Sequence, residues 1–187
     1  MIEPDPESLA IDLAEAARRG DDLSGISEGA AIEDYREAAG LIRRANRDPR
    51  ADVGAVLLLT DEELWRVDRQ FRRSDALTTL YEAEMRRRPP DLGELSTAAA
   101  AIVSGVWEER DDLDTAIGGV STGWRVERMP PVDRTVLRIA LWELRHRPDT
   151  PAAVVIAEAV RLAKAYSTER SGGFVNGVLS RLAADER

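Results

Sequence analysis

The chain has 187 residues, 43% hydrophobic and 33% charged, long enough for one well-buried domain with an appendage. It has no cysteine and one histidine, His146, which excludes a disulfide framework, a thiolate metal site, a cysteine nucleophile and a histidine-rich metal cluster. The net charge of -9 is uneven: residues 1–66 carry 16 acids and 8 basic residues (-8), and residues 67–187 carry 19 and 18 (-1), so the second part tolerates a phosphate-bearing partner and the first repels one.

Helical periodicity runs through the chain, and strand-like alternation appears nowhere convincingly. Ser8–Arg18 repeats apolar residues at Leu9, Leu13 and Ala16/Ala17 and stops at Gly20. Gly20–Gly29 reads as a flexible acidic connector. Ile32–Asn46 repeats Ile32, Tyr35, Ala38/Ala39 and Ile42 before Asp48-Pro49. Val53–Leu59 fits a short helix or an extended piece. Thr60 and Glu63 form a capping box, from which a helix should run into an arginine-rich stretch.

Ser74–Arg88 is a clear helix with Leu77, Leu80, Tyr81 and Met85 on one face, ended by Pro89-Pro90. Asp91 or Ser96 starts the next, striped by Ile102, Val103, Val106 and Trp107. Asp111–Ile117 follows and should end at Gly118-Gly119. Pro130-Pro131 suits a first helical turn. The helix it opens carries Val132, Val136, Ile139, Ala140 and Leu144 on one face and closes at Pro148. Asp149, Thr150 and Pro151 start another that reaches Tyr166. After the polar turn Ser167–Arg170, Ser171 starts the last.

No period of 20–50 residues repeats, which argues against a solenoid. The opening MIEPDPESLA has no basic n-region or long apolar core, so no secretory signal is expected. The longest uncharged apolar runs, Gly54–Leu59 and Ala98–Val103, are too short to span a bilayer. A soluble, cytoplasmic protein is the expectation. There is no P-loop, Rossmann fingerprint or HExxH. The pairs Glu108-Glu109 and Asp111-Asp112 are neighbours in sequence, and adjacent helix residues do not face each other as catalytic carboxylates must. No catalytic site, cofactor or metal is expected.

Five segments carry a family resemblance: RQFRRSDALTTLYEAE from Arg69, VSGVWEERDDLDTAI, WRVERMPPVDRTVLRIALWEL, EAVRLAKAYS and FVNGVLSRLA. Together they span roughly residues 69–184 and resemble the NusB family of bacterial transcription antitermination factors. The resemblance implies an all-α fold of two three-helix groups, here with an acidic helical extension at residues 1–66 before the domain at 67–187. It also implies binding of a boxA-like single-stranded RNA together with the ribosomal protein NusE, promoting read-through by RNA polymerase in ribosomal RNA operons. Four departures stand out. Gln70 and Phe71 thin the arginine segment, and the stretch from Tyr81 to Val103 is short. Ala157 replaces the asparagine of the family's INEA pattern, and Gly172-Gly173 stand where a basic residue is common.

Arg69, Arg72 and Arg73 lie close along one helix. Guanidinium forks bind phosphate and stack on bases, but the same arginines also suit a solvated helix face paired with Asp68 or Asp75. Phe174 opens the last helix after two glycines; it fits either the core or an RNA surface, and Arg170 in the same turn adds a cation. The resemblance makes these five RNA contacts. It makes Tyr81, Glu127 and Asp133 docking residues for NusE, while Asp133 is equally an ordinary first-turn acid. The four tryptophans read as packing residues, His146 as a helix-end cation, and Asn176 as a structural amide. Two rival roles remain: an interaction module with weakened RNA binding, or the separate RNA-binding partner of an RNA cytosine methyltransferase, since NusB-like domains also occur fused to such enzymes.

Overall fold

The computed structural model describes residues 5–21, 23, 26, 32–48, 50, 54–93, 95–121 and 125–185. Eight α-helices run through them: α1 Pro6–Arg19, α2 Ile32–Arg47, α3 Asp61–Arg86, α4 Thr97–Glu108, α5 Arg110–Val120, α6 Pro131–His146, α7 Ala152–Tyr166 and α8 Ser171–Asp185. Ala55–Leu57 and Val126–Arg128 are 3-10 turns, and no strand occurs among the described residues. Most of the expected Gly20–Gly29 connector, with Pro49, Val53 and Trp124, lies outside the described residues, as do the side chains of Ile32, Tyr35 and Trp65.

Contacts divide the chain into two units, Met1–Arg72 and Arg73–Arg187, with the division inside α3. The sequence suggested one helix from Thr60 and another from Ser74; α3 is continuous instead. Nothing between Arg66 and Ser74 breaks it, because the stretch holds neither glycine nor proline. Val67 and Phe71 belong to the core of the first unit, and Ala76, Leu77 and Leu80 to that of the second.

In the first unit, α1 begins at Pro6 rather than Ser8. The Asp5 carboxylate accepts hydrogen bonds from the Glu7 and Ser8 amides at 3.0 and 3.1 Å, and proline sits in the first turn, where its missing N–H costs nothing. Gly20, at φ 79, closes the helix with hydrogen bonds to Ala17 and Ala16 carbonyls. Alanines at 10, 14, 16 and 17 on α1 and at 38, 39 and 45 on α2 are buried beside Leu9, Leu13 and Ile42, so the two helices meet through small residues. The Asn46 amide donates to the Leu59 carbonyl at 2.8 Å and its oxygen accepts from the Leu59 N–H at 3.1 Å, pinning the segment before α3. The expected capping box is present: the Thr60 N–H donates to Glu63 Oε2 at 2.7 Å, and the Glu63 N–H to Thr60 Oγ1 at 3.3 Å.

The second unit is built around α6, whose residues from Thr135 to Glu143 are all buried. α6, α7 and α8 pack on one another; α4 and α5 close on α6, and α5 also meets α8. With the second half of α3 these make two three-helix groups sharing one apolar core. Ser96, not Asp91, caps α4, its Oγ accepting from the Ala99 N–H at 3.2 Å. α5 continues through Gly118-Gly119 to Val120, because Ile117 and Val120 both pack on the core. Gly105 lets α4 approach α6: a Cβ there would lie 2.2 Å from Trp142 Nε1.

Candidate functional site

Charged side chains inside an apolar helix cost heavily unless paired. On α6, Arg134, Arg138 and Glu143 each have a counter-ion. Arg138 Nε and Nη2 donate to the two Asp114 oxygens, each at 2.7 Å, and its Nη1 donates to Glu84 Oε2 at 3.1 Å. Burial opposes the charge on Arg138, yet the Asp114 hydrogen bonds and the nearby carboxylates hold its pKa above the ordinary arginine value. Arg134 donates to Glu84 Oε1 and, through Nη1, to the Val126 carbonyl at 3.1 Å. Glu143 accepts from Arg73 Nε at 2.6 Å.

Arg134 therefore ties three elements at one place: α6, the turn Val126–Arg128 and the end of α3 (through Glu84). Two of the docking residues expected from the sequence, Tyr81 and Glu127, are exposed beside that tie, Tyr81 one turn before Glu84 and Glu127 next to Val126. Asp133 is different. It is 3% exposed, and its Oδ1 has no hydrogen-bond partner among the described residues. Asp133 is the acid of the first turn of α6, as its ordinary reading has it, but packing encloses it there.

The arginine segment divides as well. Arg69 lies on α3, with its side chain outside the described residues; Arg72 is half-buried; both belong to the first unit. Arg73 belongs to the second and is 1% exposed. Its reading as an RNA contact is corrected: its guanidinium is held by Glu143 inside the core. Nothing local in the sequence announces this pairing, because the partners are 70 residues apart.

The turn before α8 is organised by Ser171. Its buried hydroxyl accepts from the Thr168 N–H at 3.2 Å, donates to Ser167 Oγ at 3.0 Å and lies 2.8 Å from Thr168 Oγ1. Arg170 and Gly173 are exposed on this turn, and Phe174 is half-buried against the core. Gly172 leaves room for the Lys164 side chain, which a Cβ would meet at 2.9 Å. Asn176 is exposed, so the structural role expected of its amide has no hydrogen bond behind it among the described residues. The sequence missed Ser171 as an organiser, along with Glu84, Asp114, Arg134, Arg138 and Glu143. The available signal was charge placed inside the apolar stripe VDRTVLRIALWEL.

His146 Nε2 lies 2.8 Å from Glu109 Oε1, joining the end of α6 to the α4–α5 junction, and its ring sits 5.0 Å from Trp142. Among the described residues no helix is long and apolar enough to cross a membrane.

The helical core, the paired charges on α6 and the polar turn before α8 define a small helical domain of two three-helix groups. The family model described as the NusB family matches residues 66–184, and the chain belongs to that family. A transcription antitermination protein NusB of Sorangium cellulosum (strain So ce56) is 52% identical over 97 residues, covering 52% of this chain and 69% of that protein. Among solved structures, T. maritima NusB is 34% identical with a TM-score of 0.57, covering 63% of this chain and 91% of its own. A chain from the complex of antitermination factors NusB and NusE with dsRNA is 26% identical with a TM-score of 0.56, covering 63% and 97%.

Proposed function

We propose that this chain is a transcription antitermination factor that holds boxA-like single-stranded RNA together with NusE and promotes read-through by RNA polymerase, chiefly in ribosomal RNA operons. It acts in the cytoplasm by binding, without catalysing a reaction. Residues 67–187 form the binding domain, and residues 1–66 an acidic helical extension. Membership of the NusB family and likeness to a NusB chain solved with NusE and RNA support this role.

The observation that carries the partner assignment is the Arg134 tie, which fixes Tyr81 and Glu127 on elements held together by hydrogen bonds. An exposed aromatic with an acid beside it suits a basic ribosomal protein, the acid aiding encounter and register. Asp133 would support this surface from beneath. For RNA, the reading assigns Arg69 and Arg72 in the first unit and, separately, Arg170 and Phe174 in the second, as cations and an aromatic for phosphate and base. The burial of Arg73 removes one cation from that set and favours a second reading, an interaction module with weakened RNA binding. Co-purification of NusE with the full chain and with Tyr81→Ala/Glu127→Lys tests the partner assignment. NusE should be retained by the parent and lost by the variant; equal retention overturns it.

A further inference from the structure

A cavity of about 390 Å³ opens in the second unit, at the end of α3 and against α4 and α6. Its wall shares Glu84 and Arg138 with the ion-pair network of α6, and it is distinct from the turn before α8. Its volume lies in the range of sites for small organic ligands and exceeds the needs of a single ion. Leu80, Val106 and half-buried Trp107 line it with apolar surface, and Arg87, Arg88 and Arg110 add three guanidinium groups.

The charges do not cancel. Two other ionic residues line the cavity, Glu84 and Arg138, and they are bound to each other. Glu84 gives its second oxygen to Arg134, and Arg138 gives its remaining fork to Asp114. The cavity's carboxylate is thereby withdrawn from the three arginines. Arg87 and Arg88 are exposed and have no ion pair among the described residues. Among the described residues the one carboxylate paired with Arg110 is the exposed Asp111, at 3.3 Å, a contact that contributes little. A positive site therefore stands on a chain of net charge -9.

Two features give the site shape. The Arg110 guanidinium lies 5.0 Å from the Trp107 ring centroid, forming a stacked aromatic–guanidinium pair of the kind on which a nucleobase packs. Arg87 has φ 50, the one positive value at a non-glycine among the described residues. Its N–H donates to the Glu84 carbonyl at 3.2 Å and the Arg88 N–H to the Ala83 carbonyl at 3.1 Å, a helix ending usually given to glycine. An arginine kept in that conformation, at a conformational cost glycine would avoid, sets two adjacent cations on the cavity wall.

We propose that this cavity binds a ribonucleoside phosphate, the base packing on the Trp107–Arg110 pair and the phosphate held by Arg87 and Arg88. The ligand arrives either as a free nucleotide or as an unstacked nucleotide of an RNA strand; the recognition chemistry is the same. The site is separate from the proposed contacts at Arg170 and Phe174 and stands without them.

The test uses the full chain, titrated with AMP, GMP, CMP, UMP and inorganic phosphate by calorimetry, and with labelled single-stranded boxA-like RNA by anisotropy. The variant is Arg87→Gly/Arg88→Ala, in which glycine suits the left-handed residue, so a thermal melt no lower than the parent's shows that the fold is kept. At least one mononucleotide should bind saturably, inorganic phosphate at least about tenfold more weakly, and the variant should lose about tenfold in affinity. If the natural source is an RNA strand, RNA affinity falls in the variant too; if it is a free nucleotide, only mononucleotide affinity falls. The proposal is overturned if no mononucleotide binds and RNA affinity is unchanged in the variant, or if a mononucleotide binds parent and variant equally. Either result leaves RNA binding that depends on Arg170 and Phe174 intact.

Discussion

Arg73 of α3 donates through Nε to Oε2 of Glu143 on α6 at 2.6 Å, with the two side chains 1% and 2% exposed. A buried pair of this kind contributes little relative to an apolar pair of the same volume, but removing one member strands a charge in the core. Arg73→Met should therefore lower unfolding free energy by about 3–5 kcal/mol, and Arg73→Met/Glu143→Leu should recover most of that loss. Urea denaturation of both variants checks the order. A single variant as stable as the parent would show that the ion pair is not what holds the two helices.

The bridge from Arg134 to Glu84 and the Val126 carbonyl bears on partner binding as well as on stability. Arg134→Ala removes one of two donors to that carbonyl (the Met129 N–H remains, at 3.1 Å) together with the partner of Glu84 Oε1, and should cost about 1–3 kcal/mol. It should also weaken NusE binding by about tenfold while leaving the affinity for RNA alone unchanged. Arg134→Lys keeps the charge but not the two-pronged reach, so it should fall between. Calorimetric titration with NusE provides the comparison.

Gly105 of α4 lies directly against the Trp142 indole of α6. A Cβ at position 105 would stand 2.2 to 2.6 Å from three indole atoms, so Gly105→Ala must displace the ring. The expected loss is about 1–3 kcal/mol from overpacking. Trp142 Nε1 has no hydrogen-bond partner among the described residues, so Trp142→Phe sacrifices no hydrogen bond and should partly rescue Gly105→Ala. Thermal melts of the two single variants and the double variant measure the coupling.

The cap of α1 makes the first unit sensitive to acid. Hydrogen bonds from the Ser8 N–H and hydroxyl, and from the Glu7 N–H, hold the Asp5 carboxyl below its ordinary value. Because the folded pKa is the lower one, the contribution is present above the unfolded value and disappears as pH falls through the folded value. Asp5→Asn keeps a capping oxygen without a titrating proton. Circular dichroism melts should show the parent losing its cap contribution below about pH 4, with that step missing in the variant.

Local signals named most of the helices. Gly20 stops α1, Thr60 and Glu63 start α3, and Pro131 opens α6, because caps and prolines act within a few residues of themselves. The same local reading divided α3 and stopped α5 at two glycines, since burial of Phe71, Ile117 and Val120 outweighs local preference. The site was less legible. An arginine in sequence reads as solvated or phosphate-binding, and only tertiary packing shows that Arg73 belongs to Glu143 and Arg138 to Asp114. Ser171 starts α8 as its sequence position implies, and its hydroxyl also fastens the preceding turn, a role the sequence does not announce.

The most direct measurement is a titration of boxA-like RNA into the full chain, with and without NusE, at about 50 and 200 mM salt, for the parent and for Arg170→Ala/Phe174→Ala. The parent should bind RNA, more tightly with NusE present, with affinity falling as salt rises. The variant should lose about tenfold or more at both salt concentrations. RNA affinity that ignores NusE and is the same in parent and variant would contradict the assignment of this chain as an RNA-binding antitermination factor.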